Sequence, residues 1–521
     1  MNALAPMRPA DSAAQRPDPV PARPAASLEQ LLAGLATPTP DLAGQIPAGL
    51  HLDSRRIQPG DAFVALAGDR GHGLEFAGQA LAAGACCVIH EAPAPARFAV
   101  DLAGWPAIAV PGLREHLGRI ADRAWQSPSR RLDCIGVTGT NGKTSTVHLL
   151  VQALAGAGID VARIGTLGSG RPGALVPANH TTPDVLSVHA GLRSFADAGI
   201  SHVAMEVSSH ALDQGRVDQI YFRSAVFTNL SRDHLDYHGD MAAYAAAKAR
   251  LFAWPELETA MINSDDTCGR QLLANLPASV QVLSYGTEVL DGERPDISAR
   301  QIRTGAQGLD FTLLTPAGEA AVESRLLGRF NIANLLAVAG CLYARDWSLD
   351  RIAHALARLD SVPGRMNRLG GGGRPLVVVD YAHTPDALAQ ALASLREHAT
   401  GRLHCLFGCG GERDTGKRAQ MAAAAQTYAD TITVTDDNPR HEDGDAIVAG
   451  ILTGFDAATR ARVRVERDRA RAIAGTVADA DADDIVLIAG KGHEPWQEIA
   501  GERRPFDDSR HARSALEAWS C

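Results

Sequence analysis

Short apolar runs alternate with longer segments of helical periodicity from about residue 132 onwards. The apolar runs are typical of buried strands, and they are RLDCIGVTG, HVAMEVS, SAVFTNL and TAMINSD. Helical segments such as TSTVHLLVQALAGAG separate them, and the helices NIANLLAVAGCLYARDW and LDRIAHALARL close this region near residue 360. Strands that alternate with helices predict a parallel sheet with helices on both faces.

A second region of the same kind follows the proline and glycine cluster SVPGRMNRLGGGGRP. Its apolar runs LVVVDY, RLHCLFG, TITVTDD, RVRVERD and DIVLIAG predict another doubly wound sheet. Four of these strands end in polar or glycine-rich clusters, namely DYAHTPD, GCGGERD, DDNPR and GKGHE. Because ligands bind beyond the carboxyl ends of the strands in open parallel sheets, we expect all four clusters to face one crevice.

The chain before these two regions has weaker patterning. ASLEQLLAGL predicts a short helix, and LDSRRIQPGDAFVALAG predicts two short strands around a Pro-Gly turn. The N-terminus is rich in Pro, Ala and Arg without an apolar segment, which predicts a disordered tail and not a secretion signal. The predicted organisation is α/β, with a tail at 1–25 and domains at 26–112, 113–361 and 362–521.

Composition and charge narrow the classes of function. Of the 521 residues, 45% are hydrophobic and 21% are charged, as in ordinary globular proteins. A net charge of −10 without a long basic run argues against binding to nucleic acid or to an anionic membrane. The longest apolar runs are too short to cross a bilayer, and the eight scattered cysteines favour a reducing cytoplasm.

GVTGTNGKTS, at residues 136–145, lies between a predicted strand and a predicted helix, which is the context of a phosphate-binding loop. Its glycines allow backbone N–H groups to surround phosphate oxygens beside a helix N-terminus. Lys143 is expected to reach the terminal phosphates, and Thr144 to offer its hydroxyl to Mg²⁺. The strict motif is not met, because Val137 takes the first glycine position. The predicted ATP contacts here are Gly139, Thr140, Asn141, Gly142, Lys143, Thr144 and Ser145.

Two further side chains suit a magnesium site near this loop, and a lysine follows them along the chain. Glu206 ends one predicted strand, and its carboxylate suits a hard cation. His234 follows another strand, and Lys248 lies in the predicted helix AYAAAKARLF. A capping carboxylate, a turn histidine and a solvated lysine are the ordinary alternatives for the three. The candidate metal ligands are Thr144, Glu206 and His234.

Arg440 stands behind a proline in TDDNPRHE, directly after the predicted strand TITV. A surface salt bridge is the ordinary interpretation of such an arginine. The other three clusters at the same sheet edge favour a role in ligand binding instead.

These strings together resemble the Mur ligase family, the ATP-dependent amino-acid ligases of peptidoglycan-precursor synthesis. The matching strings, in family order, are LDSR, TGTNGKTS, TTPD, EVSSHALDQGR, TNLSRDHLDYHG, AAKARLF, GRFNIAN, GRMN, DYAHTPD, FGCGGERD, DDNPR and GKGHE. They cover the whole chain except the tail. The resemblance implies an N-terminal α/β uridine-binding domain, a central P-loop ATPase domain with a parallel sheet, and a C-terminal Rossmann-like domain.

The resemblance also implies roles for individual residues. The UDP-substrate would contact Leu52, Ser54, His180, Thr181, Thr182, Ser208, Gln214 and Arg216, with help from the loop GDRG at 68–71. Asn331 and Arg365 would face ATP, with Asp380 to His383 at its far side. Lys248 would carry a carbamate, which converts a cation into an anion suited to a place beside Mg²⁺.

In the family, the string DNPR marks the enzymes that add meso-diaminopimelate. Arg440 would bind the far carboxylate of that amino acid, and the rest of its pocket would be Asp437, Asn438, Pro439, Arg413, Gly490 and Glu494. The implied reaction is ATP-dependent amide ligation through an acyl phosphate, with Mg²⁺ as cofactor. The implied enzyme is a cytoplasmic monomer that acts on small molecules and supports cell-wall synthesis, cell shape and division.

Four other interpretations stay open from the sequence. A sibling ligase would add L-lysine or another amino acid, although DNPR argues against it. A folylpolyglutamate synthetase shares the architecture but not LDSR or a separate N-terminal domain. A P-loop switch or motor would turn over ATP without an amino acid. A non-enzymatic scaffold would leave the P-loop without a role.

Overall fold

The computed structural model describes residues 22–68, 71–177, 180–289 and 292–520. Most of the predicted tail, and Asp69 and Arg70 of the GDRG loop, lie outside the described residues. The chain separates into two compact units. The first unit comprises residues 1–136, 159–223 and 242–257, and the second comprises residues 137–158, 224–241 and 258–521.

The N-terminal region of the first unit contains a four-stranded sheet. Its strands are β1 (Leu50–His51), β2 (Ala62–Ala65), β3 (Cys87–Ala92) and β4 (Ala107–Pro111), and its helices are α1 (Leu28–Leu31), α2 (Pro40–Ala43), α3 (Ala77–Ala82), α4 (Ala99–Gly104) and α5 (Leu113–Ala124). All neighbouring strands are parallel, in the order β1-β2-β3-β4. The predicted short helix is α1, which begins with a capping box between Ser27 and Gln30.

The central region contributes to both units. Its strands are β5 (Asp133–Thr138), β6 (Val161–Gly165), β7 (Gly168–Arg171), β8 (Ala174–Val176), β9 (His202–Glu206), β10 (Ser224–Phe227), β11 (Thr259–Asn263), β12 (Gln281–Gly286), β13 (Ile297–Gly305), β14 (Gly308–Thr315) and β15 (Gly318–Ser324). Its helices are α6 (Lys143–Gly156), α7 (Val185–Asp197), α8 (Ser209–Asp213), α9 (Leu235–His238), α10 (Met241–Ala249), α11 (Thr267–Asn275), α12 (Phe330–Tyr343) and α13 (Leu349–Ala357).

The predicted parallel pairing of this region holds for its apolar strands. In the first unit, β9 pairs with β6 in parallel, and in the second unit β10, β11, β12 and β13 form a parallel series. The antiparallel strands β7, β8, β14 and β15 were not predicted. The strands β14 and β15 mix polar and apolar residues, as antiparallel strands with one solvated face can, and β7 and β8 are only four and three residues long.

The C-terminal region lies in the second unit. Its strands are β16 (Asn367–Gly370), β17 (Leu376–Asp380), β18 (Leu403–Phe407), β19 (Thr431–Val434), β20 (Arg464–Val465), β21 (Ile485–Ala489), β22 (Trp496–Ile499) and β23 (Glu502–Pro505). Its helices are α14 (Pro385–Arg396), α15 (Lys417–Tyr428), α16 (Gly444–Leu452), α17 (Ala457–Arg460), α18 (Arg469–Ala478) and α19 (Asp508–Ala518).

This region contains the second doubly wound sheet that the sequence predicts. The strand order is β16-β17-β21-β18-β19-β20, and only the edge strand β16 is antiparallel to its neighbour. Successive residues of β17 pack into different cores, with Val378 in one and Val377 and Val379 in the other. Apolar packing on both faces explains why these strands are continuous apolar runs in the sequence. The carboxyl ends of β17, β21, β18 and β19 therefore lie side by side.

The predicted α/β class is confirmed by these sheets and their covering helices. Within the described ranges, none of the helices combines the length and the apolar character that crossing a membrane requires.

Candidate active site

The phosphate-binding loop connects β5 to α6, as the sequence predicts, and α6 begins at Lys143. Gly139 and Gly142 have φ angles of +146° and +85°, which favour glycine. A Cβ atom at Gly139 would also overlap Thr228 Oγ1. Lys143 Nζ donates hydrogen bonds to the carbonyl oxygens of Gly139 and Thr140, each at 2.8 Å, so its ammonium group lies over the loop. The loop thus combines a lysine charge with a helix N-terminus, the two features that attract phosphate.

The segment after β10 holds this loop in place. Thr140 N donates to Asn229 O at 2.8 Å, and Asn141 N donates to Asn229 Oδ1 at 2.9 Å. Thr228 Oγ1 donates to Asn141 O at 2.6 Å. Thr228 and Asn229 were not predicted as site residues, although both lie in the string TNLSRDHLDYHG. From the sequence, His234 is the one residue of that string to which a role was assigned.

Asn331 reaches the phosphate-binding loop through a second asparagine. Its Nδ2 donates to Leu327 O at 2.7 Å, and its Oδ1 accepts a hydrogen bond from Asn334 Nδ2 at 2.8 Å. Asn334 Oδ1 lies 3.4 Å from Thr146 Oγ1, and a Cβ atom at Gly142 would come within 2.8 Å of it. Asn334 is therefore a support of the loop that the sequence analysis missed. The sequence does indicate this role, because Asn334 lies three residues after Asn331 and both side chains therefore fall on one face of α12.

Glu206 and Lys248, both in the first unit, are buried. The exposed fraction is 2% for Glu206 and 1% for Lys248. Glu206 accepts hydrogen bonds from Thr166 N at 2.8 Å and from Thr166 Oγ1 at 3.2 Å. Lys248 Nζ lies 4.4 Å from the centroid of the Tyr244 ring. The ordinary alternative for Lys248, a solvated helix lysine, is therefore wrong.

His234 and Thr144 belong to the second unit. His234 has a φ angle of +52° and precedes α9, with Nε2 3.4 Å from Asp233 Oδ2 and a half-exposed side chain. Across the described part of the chain, no three or more His, Cys, Asp and Glu side chains gather as a metal site. Mg²⁺ that arrives with nucleotide phosphates needs only one or two protein ligands, so the hydroxyl of Thr144 fits such an ion.

Two threonines predicted to hold the UDP-substrate lie close to the end of β9. Thr182 is fully buried, and its Oγ1 donates to Glu206 O at 2.7 Å and accepts from Ser208 N at 3.2 Å. Thr181 Oγ1 lies 3.1 Å from Thr166 Oγ1. The structure therefore brings Thr181, Thr182 and Ser208 into one hydrogen-bonded group.

Arg216 and Gln214 join the same group. Arg216 Nη1 donates to Thr182 O at 3.0 Å, and Arg216 Nε donates to Gln214 Oε1 at 3.0 Å. His180 is exposed and follows Ala178 and Asn179, which are outside the described residues.

Leu52 and Ser54 lie in the N-terminal region of the same unit. Ser54 is buried, and its Oγ donates to Gln79 Oε1 at 3.2 Å, whereas Leu52 is half-buried. Arg56, two residues later, donates from Nη1 to Ser187 Oγ of α7 at 3.0 Å. The N-terminal region is thereby linked to the helix that follows Thr181 and Thr182.

The four polar clusters of the C-terminal region converge at one edge of the sheet. Gly490 N donates to Asp380 O at 3.1 Å, which joins the loops after β21 and β17. Asn438 Nδ2 donates to Glu494 Oε2 at 2.9 Å, and Arg440 Nη1 donates to Gly411 O at 2.7 Å. Loops from β17, β18, β19 and β21 are thus bonded to one another around a common crevice.

The hairpin β22–β23 holds the backbone of Arg440, in addition to the preceding proline that stiffens the turn. Arg440 N donates to Glu498 O at 3.0 Å, and Ala500 N donates to Arg440 O at 2.6 Å. The backbone of Arg440 has a φ of +56°, a conformation that costs a non-glycine residue about 1 kcal/mol. The side chain is half-buried. This hairpin was not predicted from the sequence, because its residues lie about sixty positions further along the chain.

Buried charges surround the turn that carries Asp437 and Asn438. Asp437 is 7% exposed, and burial raises the pKa of its carboxyl, while the positive charges of Arg469 and Lys491 act in the opposite direction. Lys491 is fully buried and donates from Nζ to Asn438 Oδ1 and Glu494 Oε2, each at 3.1 Å. Arg469 and Lys491 were not predicted as site residues.

Asp380 supports its own loop. Its carboxylate accepts from Met366 N at 2.7 Å and from Ala382 N at 2.9 Å, and burial raises its pKa. The side chains of Arg365, His383 and Arg413 are exposed, and Arg365 Cζ lies 5.3 Å from the centroid of the Tyr381 ring. Arg365 thus lies near an aromatic side chain, Tyr381, that directly follows Asp380 in the chain.

Three family models match the chain. Residues 48–125 match the Mur ligase family catalytic domain, residues 137–342 match the Mur ligase middle domain, and residues 364–492 match the Mur ligase glutamate ligase domain. The three matches follow one another along the chain, in agreement with the predicted three-domain fold.

Curated relatives match nearly the full chain. A UDP-N-acetylmuramoyl-L-alanyl-D-glutamate–2,6-diaminopimelate ligase of Xanthomonas campestris pv. campestris is 57% identical over 94% of this chain and 97% of its own. The ligase of the same name in Xylella fastidiosa is 54% identical over 94% and 98%. A solved structure of a ligase with this name is 38% identical, with a TM-score of 0.73 over 95% of this chain and 99% of that one.

The phosphate-binding loop predicts the effect of one added methyl group. We expect Gly139→Ala to weaken MgATP binding by about tenfold or more, because the new Cβ would collide with Thr228 and displace the loop. Gly156→Ala is the matched control, since its Cβ meets no atom within 4 Å at the other end of α6. Titration calorimetry with a non-hydrolysable ATP analogue measures both. Equal affinities in the two variants would contradict the role of the loop.

Proposed function

The chain belongs to the Mur ligase family, and on this premise we propose that it uses ATP to join meso-diaminopimelate to the D-glutamate of UDP-N-acetylmuramoyl-L-alanyl-D-glutamate. The product would be a precursor of peptidoglycan. Relatives that carry the name of this ligase are 57% and 54% identical. The observation that carries the proposal is the set of hydrogen-bonded loops at one edge of the C-terminal sheet, which carry Arg440, Asp437 and Glu494. Charges of both signs suit an amino acid whose far end bears both a carboxylate and an ammonium group.

The reaction requires an activated carboxylate. A carboxylate is a poor acyl donor, so a side-chain oxygen of D-glutamate attacks the terminal phosphorus of ATP, and ADP departs. The amine of the incoming amino acid then attacks the acyl carbon of the resulting acyl phosphate. The tetrahedral intermediate collapses to an amide, inorganic phosphate leaves, and the amine loses a proton to solvent. Lys143 and the N-terminus of α6 stabilise the charge on the transferring phosphoryl group.

Each unit offers oxygen donors of the kind that Mg²⁺ prefers. We propose the hydroxyl of Thr144, in the second unit, as a Mg²⁺ ligand, and separately the carboxylate of Glu206, in the first unit, as a further candidate ligand. His234 offers a nitrogen, which suits Mg²⁺ less well than oxygen does. When bound, Mg²⁺ would neutralise negative charge on the phosphates.

Lys248 is proposed to carry a carbamate. Its burial supports this role, because burial favours the neutral form of a lysine, and the neutral amine is the form that adds to carbon dioxide. The hydrogen-bonded group of Thr181, Thr182, Ser208, Gln214 and Arg216 is proposed to hold the muramoyl-dipeptide.

Arg440 is proposed to select the amino acid. Its guanidinium can form two parallel hydrogen bonds with the far carboxylate of meso-diaminopimelate, while Asp437 and Glu494 face the far ammonium group. L-lysine has no far carboxylate and would leave the guanidinium without its partner. A site that loses a required polar partner discriminates by factors of about ten thousand.

We expect a single tripeptide product in the direct test of this function. The protein is incubated with MgATP, UDP-N-acetylmuramoyl-L-alanyl-D-glutamate and either meso-diaminopimelate or L-lysine, and the product mass is measured. Product with meso-diaminopimelate alone is the expected result. Product mainly with L-lysine would overturn the assignment of the amino acid, and ATP hydrolysis without either product would favour a P-loop switch.

Arg440→Ala is expected to raise the KM for meso-diaminopimelate by about a hundredfold or more, because a charge-assisted bidentate pair is lost. The KM for the UDP-substrate should change little. Arg504→Ala is the matched control, since Arg504 is exposed on the neighbouring hairpin and pairs with the exposed Glu502. Equal losses for both substrates in Arg440→Ala would contradict the selective role of Arg440.

The carbamate at Lys248 predicts a spectroscopic signal. With ¹³C-labelled bicarbonate, we expect a lysyl carbamate resonance that Lys248→Arg abolishes together with ligase activity. Lys417→Arg removes a different lysine and should leave the resonance in place. A wild-type spectrum without a carbamate resonance would contradict the modification.

A further inference from the structure

One ion pair in the C-terminal region has both side chains fully buried. Arg469 donates from Nε to Asp508 Oδ1 and from Nη2 to Asp508 Oδ2, each at 2.7 Å. The exposed fraction of both side chains is 0%. The two residues begin the helices α18 and α19. Because desolvation offsets most of the attraction in such a pair, apolar residues of similar size would often give equal or greater stability. The pair therefore calls for an explanation other than stability.

The same guanidinium reaches the backbone of two loops of the crevice. Arg469 Nη2 donates to Ala489 O at 3.0 Å, and Nη1 donates to Asp436 O at 3.4 Å. Ala489 directly precedes Gly490, and Asp436 directly precedes Asp437. The guanidinium of Arg469, oriented by Asp508, thus fixes the backbone directly before Asp437 and Gly490.

The two loops that Arg469 joins are in close contact. A Cβ atom at Gly490 would overlap Asp437 Oδ2, so the backbone of one loop lies against the carboxylate of the other. Gln497 Nε2 holds the same turn through Asp437 O at 2.9 Å. A small displacement of either loop would therefore move the Asp437 carboxylate.

The charge of Arg469 also acts on Asp437. Burial is the largest influence on the pKa of the Asp437 carboxyl and raises it, while Arg469 and then Lys491 lower it. Glu494 and, more weakly, Asp508 raise it. Loss of the Arg469 charge would favour the neutral acid, which cannot pair with an ammonium group.

We propose that Arg469 and Asp508 are positioning residues for the amino-acid substrate. The pair sets the separation of the DDNPR and GKGHE loops, so that Asp437 and Arg440 meet the far end of the substrate together. The identity of that substrate rests on the proposed function, whereas the positioning applies to whichever amino acid the crevice binds.

The opposite edge of the same sheet provides a matched control. Asp484 precedes β21 at its amino end, with a side chain that is 3% exposed. Its Oδ2 lies 2.9 Å from His404 Nε2 and 3.1 Å from Arg402 Nη2. Asp484 and Asp508 are thus both buried carboxylates with cationic partners, but only the Asp508 pair bonds to the loops of the crevice.

The test compares Arg469→Lys, the double variant Arg469→Met with Asp508→Leu, and Asp484→Asn. Arg469→Lys keeps a charge but loses the planar fork, and the double variant removes the pair without leaving a buried charge. We expect both to raise the KM for meso-diaminopimelate by about tenfold, with the KM for ATP and the UDP-substrate within about twofold of wild type. Asp484→Asn should lower Tm and leave all three KM values unchanged.

The pH dependence of kcat/KM distinguishes a positioning role of Arg469 from a purely structural role, which would leave it unchanged. In the double variant, the pKa of Asp437 should rise, because the removed charge of Arg469 lowers that pKa more than the removed charge of Asp508 raises it. On the acid side of the pH profile, kcat/KM for meso-diaminopimelate should then fall at higher pH than in wild type. The acid side of the kcat/KM profile for the UDP-substrate should stay where it is.

The outcomes separate the two proposals. A lower Tm with unchanged KM values in the Arg469 variants, or the same KM changes in Asp484→Asn, would overturn the positioning role. Failure of the wild type to use meso-diaminopimelate would overturn the proposed substrate instead. The same KM comparison would then be made with the amino acid that the wild type does use.

Discussion

The need to keep buried charges partnered at one edge of a parallel sheet shapes the C-terminal region of this protein. Lys491, Arg469 and Asp508 are fully buried, and Asp437 is nearly so. An unpaired charge in such surroundings costs several kcal/mol, so each side chain must have a partner or a ligand. Lys491 and Arg469 find partners within the protein, in Glu494 and Asp508. These two side chains are therefore paired without any substrate.

The phosphate-binding loop meets a different constraint by different means. It needs backbone N–H groups and a lysine at one place, which glycines at positive φ and the N-terminus of α6 provide. Thr228, Asn229 and Asn334 support it through hydroxyl and amide groups.

Local patterns in the sequence were sufficient for much of the fold and for part of the site. The buried parallel strands are continuous apolar runs, and the phosphate-binding loop is a contiguous string, so both could be predicted. The supports of the site could not, because they depend on partners that are distant in the chain. Arg469 and Asp508 are separated by 39 residues. The contact of Arg440 with the hairpin β22–β23 was not predicted, because no motif marks that hairpin. The antiparallel strands β14 and β15 were not predicted, because they lack a continuous apolar run.

The most direct test of the account is a crystal structure of this protein with meso-diaminopimelate, the UDP-substrate and a non-hydrolysable ATP analogue. We expect the far carboxylate of the amino acid to form two parallel hydrogen bonds with the guanidinium of Arg440. The far ammonium group is expected to lie against Asp437, Asn438 or Glu494. A bound amino acid whose far end points to solvent, or that lies outside the four loops, would contradict the account.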